Sequence, residues 1–169
     1  QFIASIINKK KRIKIISIDA HPINNYRLRE NLKLLKTKIP NIFSLVKIKN
    51  CAVGDHNTIL NLNFSHGLAN AFITKNKKDI SVKCRKLIDI VNEEKLKYIT
   101  NLKIDVEGYE DKVLITFLNN CKKKLVPKNI ILEHSEKNVW KNDLIQFLFK
   151  FGYKEIYKNK SNIILNFRK

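Results

Sequence analysis

Short apolar runs alternate with stretches of helical spacing along most of this chain. Ile13 to Ile18 is a run rich in β-branched residues that ends in Asp19, and it reads as a buried strand. Pro22 suits a first helical turn, and Tyr26, Leu28, Leu32 and Leu35 follow at helical spacing to about Thr37. Pro40-Asn41 marks a turn. Leu45 to Lys49 is the next strand, and it runs into Asn50-Cys51-Ala52-Val53-Gly54-Asp55. From Asp55 to Lys83 the period changes. Ile59, Leu60, Leu62 and Phe64, then Ile80, Val82 and Cys84, alternate on either side of a turn at His66-Gly67. That pattern predicts a small antiparallel excursion. Leu87 to Glu94 reads as a short helix, and residues 1–8 as the last turns of an apolar one.

Lys97 to Val106 reads as the central strand. Tyr109 to Asn120 is the helix after it, with Val113, Leu114, Phe117 and Leu118 on one face. Asn129 to Leu132 is a further buried strand and ends in Glu133-His134. Asn138 to Phe151 is amphipathic through Val139, Leu144, Phe147, Leu148 and Phe151, and Gly152 stops it. Tyr153 to Tyr157 and Asn162 to Phe167 form a strand pair across Asn159-Lys160-Ser161. Strand and helix alternate for most of the length, so a mainly parallel α/β sheet is the economical architecture. At 169 residues, one domain spanning 1–169 is expected.

Composition modifies this picture little. Hydrophobic residues make up 44% and charged residues 29%, as in globular proteins. No apolar run is long enough for a membrane span and no leader is recognisable, so the cytoplasm is the expected compartment. The formal net charge is +19, which invites a nucleic-acid or membrane-surface reading. However, Lys, Ile and Asn number 29, 25 and 21, and all three have AT-rich codons, so an AT-rich genome produces the same bias. Lys outnumbers Arg by 29 to 5 and is scattered, whereas nucleic-acid sites favour clustered Arg. No specific nucleic-acid partner is expected. Cys51, Cys84 and Cys121 are far apart and form no CxxC pair, which signals neither a zinc site nor a disulfide framework.

The candidate chemistry lies at strand ends, where open α/β sheets bind ligands. Leu102-Lys103-Ile104-Asp105-Val106-Glu107-Gly108-Tyr109-Glu110 ends a strand in two acids and a glycine. Asp105 and Glu107 are candidates for chemistry, whereas Glu110 and Asp111 read as complements to the positive helix N-terminus. Asp19 ends its strand where a ribose-binding acid stands in nucleotide-binding units; the competing reading is a loop acid before the Pro22 helix. A ribose acid lies about 20 residues after a glycine loop. Gly54, Gly67, Gly108 and Gly152 make no such loop, so it is expected at or before residue 1. Glu133-His134 ends another strand; His134 reads as a general base or as a hydrogen-bonded structural residue. Asp55 borders a cofactor or is a turn residue.

Ile18-Asp19-Ala20-His21-Pro22 with Asn31-Leu32, then Asn50 to Asp55, then the Lys103-Ile104-Asp105-Val106-Glu107-Gly108 block together resemble the FkbM family of S-adenosylmethionine-dependent methyltransferases, over about residues 1–151. The resemblance implies a Rossmann-like class I methyltransferase fold, a mainly parallel sheet whose last strand is antiparallel. The first strand and Gly-rich loop would be missing here. It implies S-adenosyl-L-methionine as cofactor and O-methylation of a hydroxyl on a sugar or secondary metabolite, so that the partner is a small-molecule or glycan acceptor. Asp19 would take the ribose hydroxyls, Ala52, Val53, Gly54 and Asp55 would border the adenine, and Asp105 and Glu107 would lie near the methionine end. Glu107, His134 or Asp105 would take the acceptor's proton, and no spacing indicates a dedicated metal site. The family's glycine motif is absent, and Asp19 with His21-Pro22 replaces a more usual Glu and Pro turn.

Two other classes compete. A nicotinamide-dependent Rossmann oxidoreductase would use Asp19 in the same way, but no Tyr-Lys pair accompanies it. A basic RNA-binding module would need clustered Arg and interleaved aromatics. If the first strand is absent, the strands ending at Asp19 and Val106 should either pair or leave a gap, and these 169 residues alone should bind S-adenosylmethionine poorly.

Overall fold

A computed structural model of the chain describes residues 13–63, 72–74 and 79–168. Three hydrogen-bonded ladders organise them. In the first, β1 (Ile15–Asp19) pairs in parallel with β2 (Val46–Asn50), from Ile15 opposite Val46 to Asp19 opposite Asn50. The helix α1 (Pro22–Leu35) and a single turn α2 (Ile42–Leu45) connect them. Pro22 occupies the first helical turn, and His21 caps it, its Nδ1 accepting from Ile23 N at 3.1 Å. Leu32, Ile42 and Val46 are the buried centre of a small core under this pair. Tyr26, placed by its spacing on the inner face of α1, is instead 63% exposed, and Asn25 is buried there in its place. The Asn25 amide donates to the carbonyls of Asp19 and His21, each at 2.8 Å, and so ties strand end to helix start.

The second ladder has the order β3-β6-β4-β5, with β3 (Ala52–Gly54), β4 (Thr58–Asn63), β5 (Phe72–Thr74) and β6 (Ile80–Lys86). Its β4–β6 pair is antiparallel, as the alternation required. Phe64, His66 and Gly67 lie outside the described residues. The stretch from 45 to 55 is not one strand: after Cys51 the chain leaves β2's partner and pairs β3 in parallel with β6. The helix α3 (Leu87–Glu93) follows and buries Leu87, Ile90 and Val91.

The third ladder runs β7-β8-β10-β9 and carries the main core. It comprises β7 (Asn101–Ile104), β8 (Asn129–Glu133), β9 (Tyr153–Lys158) and β10 (Asn162–Phe167). β7 and β8 are parallel, and β10 is antiparallel to both β8 and β9. The helices α4 (Glu110–Asn120) and α5 (Leu144–Phe151) bury Val113, Leu114, Phe117, Leu118, Leu144 and Leu148 against Ile130, Leu132, Ile163 and Leu165. Ile18 and Val53 pack on the same core, so the other two ladders join it.

Two expectations need correction. The strand expected over 97–106 is only Asn101–Ile104, at the edge of its ladder. Ile99 and Thr100 still accept backbone bonds from Lys128 and Asn129. β1 and β7 belong to different ladders and do not pair. The helix expected from Asn138 begins only at Leu144. The Oδ2 atom of Asp111 accepts from Lys141 N at 3.0 Å and Asn142 N at 3.1 Å, so neither amide is available to a helix. Residues Lys137–Val139 form a single 3₁₀ turn instead, and Val139 is 55% exposed. Asp143 caps α5, accepting from Gln146 N at 3.0 Å.

Candidate active site

Ile104 pairs with Leu132 in the parallel register of β7 and β8, so Asp105 and Glu133 leave the sheet as neighbours. Burial pushes the Glu133 carboxyl up; Ser135 opposes this by hydrogen bonding, and Asp105 and the Glu110 charge add to it. Asp105 also pairs with Lys103 Nζ at 2.7 Å in an exposed contact.

The chain then turns sharply. Glu107 has a φ of 51° and Gly108 a φ of 88°. Glycine is required at 108, because a Cβ there would stand 2.4 Å from Val139 Cγ2 and 3.6 Å from Glu136 Cβ. Burial raises the Glu107 carboxyl above its ordinary value, and the charges of Asp105, Glu133, Glu110 and Glu136 raise it further. A carboxyl shifted towards neutral pH in this way is suited to taking a proton.

Glu110 and Asp111 are more than complements to the helix dipole. They are 1% and 0% exposed and wire the site through Glu110 Oε1 and Oε2 and through Asp111 Oδ2. Glu110 Oε1 accepts from Val106 N at 2.7 Å and Gly108 N at 3.3 Å, and its Oε2 accepts from Trp140 Nε1 at 2.9 Å. Asp111 Oδ2 accepts from the backbone of Lys141 and Asn142 and from Asn142 Nδ2 at 3.1 Å. Two adjacent acids thus fasten residues 137–143 onto the turn that carries Glu107. Sequence reasoning missed this. The available signal was a lone tryptophan in a polar segment, which needs a partner for its N–H when buried.

His134 is 7% exposed. Its backbone N donates to Ser161 O at 2.8 Å, and its Nε2 has no hydrogen-bond partner among the described residues. It therefore stands inside the wall formed by β8 and β10. Asp19 receives His21 N at 2.7 Å on Oδ1 and Asn24 Nδ2 at 3.1 Å on Oδ2. These bonds fix the carboxylate at the start of α1, the arrangement of a loop acid, and leave lone pairs on both oxygens.

Ala52, Val53 and Gly54 form β3, and a Cβ on Gly54 would lie 2.6 Å from Cys84 Sγ. Asp55 follows, paired with His56 Nδ1 at 2.7 Å. Burial opposes its ionisation, but His56, its own backbone N–H and Lys112 together hold the carboxyl below its ordinary value. Lys112 stands over the Tyr109 ring at 3.9 Å, so the end of β3 lies near the first turn of α4 and hence near the Glu107 turn. The structure thus brings Asp105, Glu107 and Glu133 together, with Asp55 close to the helix that follows them. Among the described residues no group of three or more His, Cys, Asp or Glu is placed to hold a metal ion, and no helix is long and apolar enough to cross a membrane.

The crystal structure of methyltransferase FkbM from Methylobacillus flagellatus KT aligns at a TM-score of 0.61 and 17% identity, over 99% of this chain and 40% of that one. At that identity the likeness is one of fold, a mixed α/β architecture. The chain therefore spans well under half the length of that protein. No curated protein matches it. The family model described as the methyltransferase FkbM domain matches residues 1–155. A match over nearly the whole chain shows that this protein belongs to the FkbM methyltransferase domain family.

Proposed function

We propose that this chain is the single domain of an S-adenosylmethionine-dependent O-methyltransferase with a Rossmann-like class I sheet. The observation that carries this reading is the joint placement of Asp105, Glu107 and Glu133 just beyond neighbouring parallel strands, where open α/β sheets bind their ligands. The antiparallel β10, lodged between β8 and β9, supports the class I topology. The acceptor capacity left on Asp19 fits ribose hydroxyls.

On this reading Asp19 holds the ribose hydroxyls, Ala52 to Asp55 border the adenine, and Asp105 adjoins the methionine end. When bound, S-adenosylmethionine supplies an electrophilic methyl group for direct displacement. Glu107 is the best placed of the three candidate bases to take the acceptor's hydroxyl proton, because it sits at the turn just beyond β7 and burial, aided by the surrounding anions, raises its carboxyl. Asp105 is tied to Lys103, and His134 is buried behind Glu133. The acceptor itself is a hydroxyl on a small molecule or glycan. We place the reaction in the cytoplasm.

Calorimetric titration of S-adenosylhomocysteine into protein produced from the complete gene tests this reading. Micromolar binding that Asp19→Ala weakens at least tenfold is expected. An undetectable affinity in the unaltered protein would overturn the proposal.

A further inference from the structure

A buried carboxylate is costly unless every lone pair that matters finds a donor. Glu110, at 1% exposed, meets this condition in an informative way. Its donors are Val106 N, Gly108 N and Trp140 Nε1. The first two bracket Glu107, which has a φ of 51°, a conformation that non-glycine residues rarely adopt and that is strained. The third comes from a segment thirty residues further along. No other side chain is bonded to the amides on both sides of Glu107 among the described residues.

We propose that Glu110 is a positioning residue: it holds Glu107 in its left-handed turn, and through Trp140 it makes the 137–143 segment a fixed wall of the same site. The inference rests on the reading of Glu107 as the proton acceptor. Geometry and charge act together here, since the Glu110 anion is also one of the groups facing Glu107, with Asp105, Glu133 and Glu136. Val139, which closes over Gly108, lies in the segment that Trp140 fastens down. Loss of the Trp140 bond would therefore loosen the cover of the turn without altering the turn itself.

The experiment compares Glu110→Gln, Glu110→Asp and Trp140→Phe in protein from the complete gene. Nuclear magnetic resonance reads three quantities: the short HN–Hα distance of Glu107, the titration of its carboxyl, and amide exchange across 137–143. Trp140 is the chain's single tryptophan, so its indole resonance and fluorescence are unambiguous. In Glu110→Gln, which presents an amide N–H where Trp140 needs an acceptor, we expect the indole shift to move upfield. The Glu107 midpoint should fall, while the carbonyl oxygen left on the glutamine keeps Val106 N and Gly108 N; in Glu110→Asp, whose shorter side chain withdraws that oxygen, the left-handed signature should weaken. In Trp140→Phe we expect roughly tenfold faster exchange across 137–143 with the Glu107 turn intact. A folded Glu110→Gln protein with an unaltered Glu107 titration overturns the proposal, as does Glu110→Asp with an unweakened Glu107 signature. If Glu110→Gln fails to fold, Trp140→Phe with unchanged exchange overturns it. None of these readouts needs a cofactor, so failure of S-adenosylhomocysteine to bind would refute the methyltransferase reading while leaving Glu110 to be judged separately.

Discussion

Asp105 and Glu133 follow residues paired across adjacent parallel strands, a consequence of the register that sets Ile104 opposite Leu132, and Asp105 raises the Glu133 carboxyl. Two acids so placed resist being ionised together, and each raises the proton affinity of its neighbours. Asp105→Asn should lower the titration midpoints of both Glu107 and Glu133, read by carboxyl resonances. Folded-state values above the unfolded ones mean that these groups stabilise the protein at low pH and cost stability as pH rises through them. Removing the Asp105 charge should therefore raise Tm at neutral pH by about 1 °C, a small gain because the exposed Lys103 pair is lost.

Gly108→Ala should be severely destabilising, by about 2–4 kcal/mol, since a Cβ meets Val139 Cγ2 at 2.4 Å and the φ of 88° is unfavourable for alanine. Adding Val139→Ala should recover the steric part and leave the conformational part. Thermal denaturation of the single and double variants checks this. An additive second loss would mean that the clash is not the cause.

Asp111→Ala and Asp111→Asn should differ. Alanine strands three donors from Lys141 and Asn142, a loss of about 3–5 kcal/mol. Asparagine keeps an oxygen at the Oδ2 position and puts its amide where Oδ1 has no partner among the described residues, so it should cost only about 1 kcal/mol. Denaturant unfolding of both variants provides the measurement.

Glu94 binds Lys14 Nζ at 2.7 Å and Lys49 Nζ at 2.6 Å, joining α3 to the β1–β2 pair. Hydrogen bonds from these lysines hold its carboxyl at about 2, against an ordinary value of 4.5. A depressed folded-state value means stability that is present above pH 4.5 and lost as pH falls towards 2. Glu94→Gln should cost about 1–2 kcal/mol at pH 7 and flatten this acid limb, as urea midpoints measured against pH would show.

The sequence by itself determined the order of elements and the residues at their ends. β-branched runs, the Pro22 helix start, the Gly152 stop and the Asn159 turn are local signals, and each reappears in the structure within a few residues. Asp105, Glu107 and Glu133 could be placed at strand ends for the same reason. Tertiary structure alone decided what the acids do. Asp111 reaches Lys141 and Asn142, and Glu110 reaches Trp140, across about thirty residues. No periodicity reports such a pairing, because hydrophobic spacing records which face of an element is buried and not which distant donor lies against it. Those bonds also shortened the expected helix at 138–151, since backbone amides already bound to a buried carboxylate cannot join a helical turn. Likewise, Asp19 could be placed at the end of β1 from its run alone, but only the fold showed His21 and Asn24 donating to both of its oxygens.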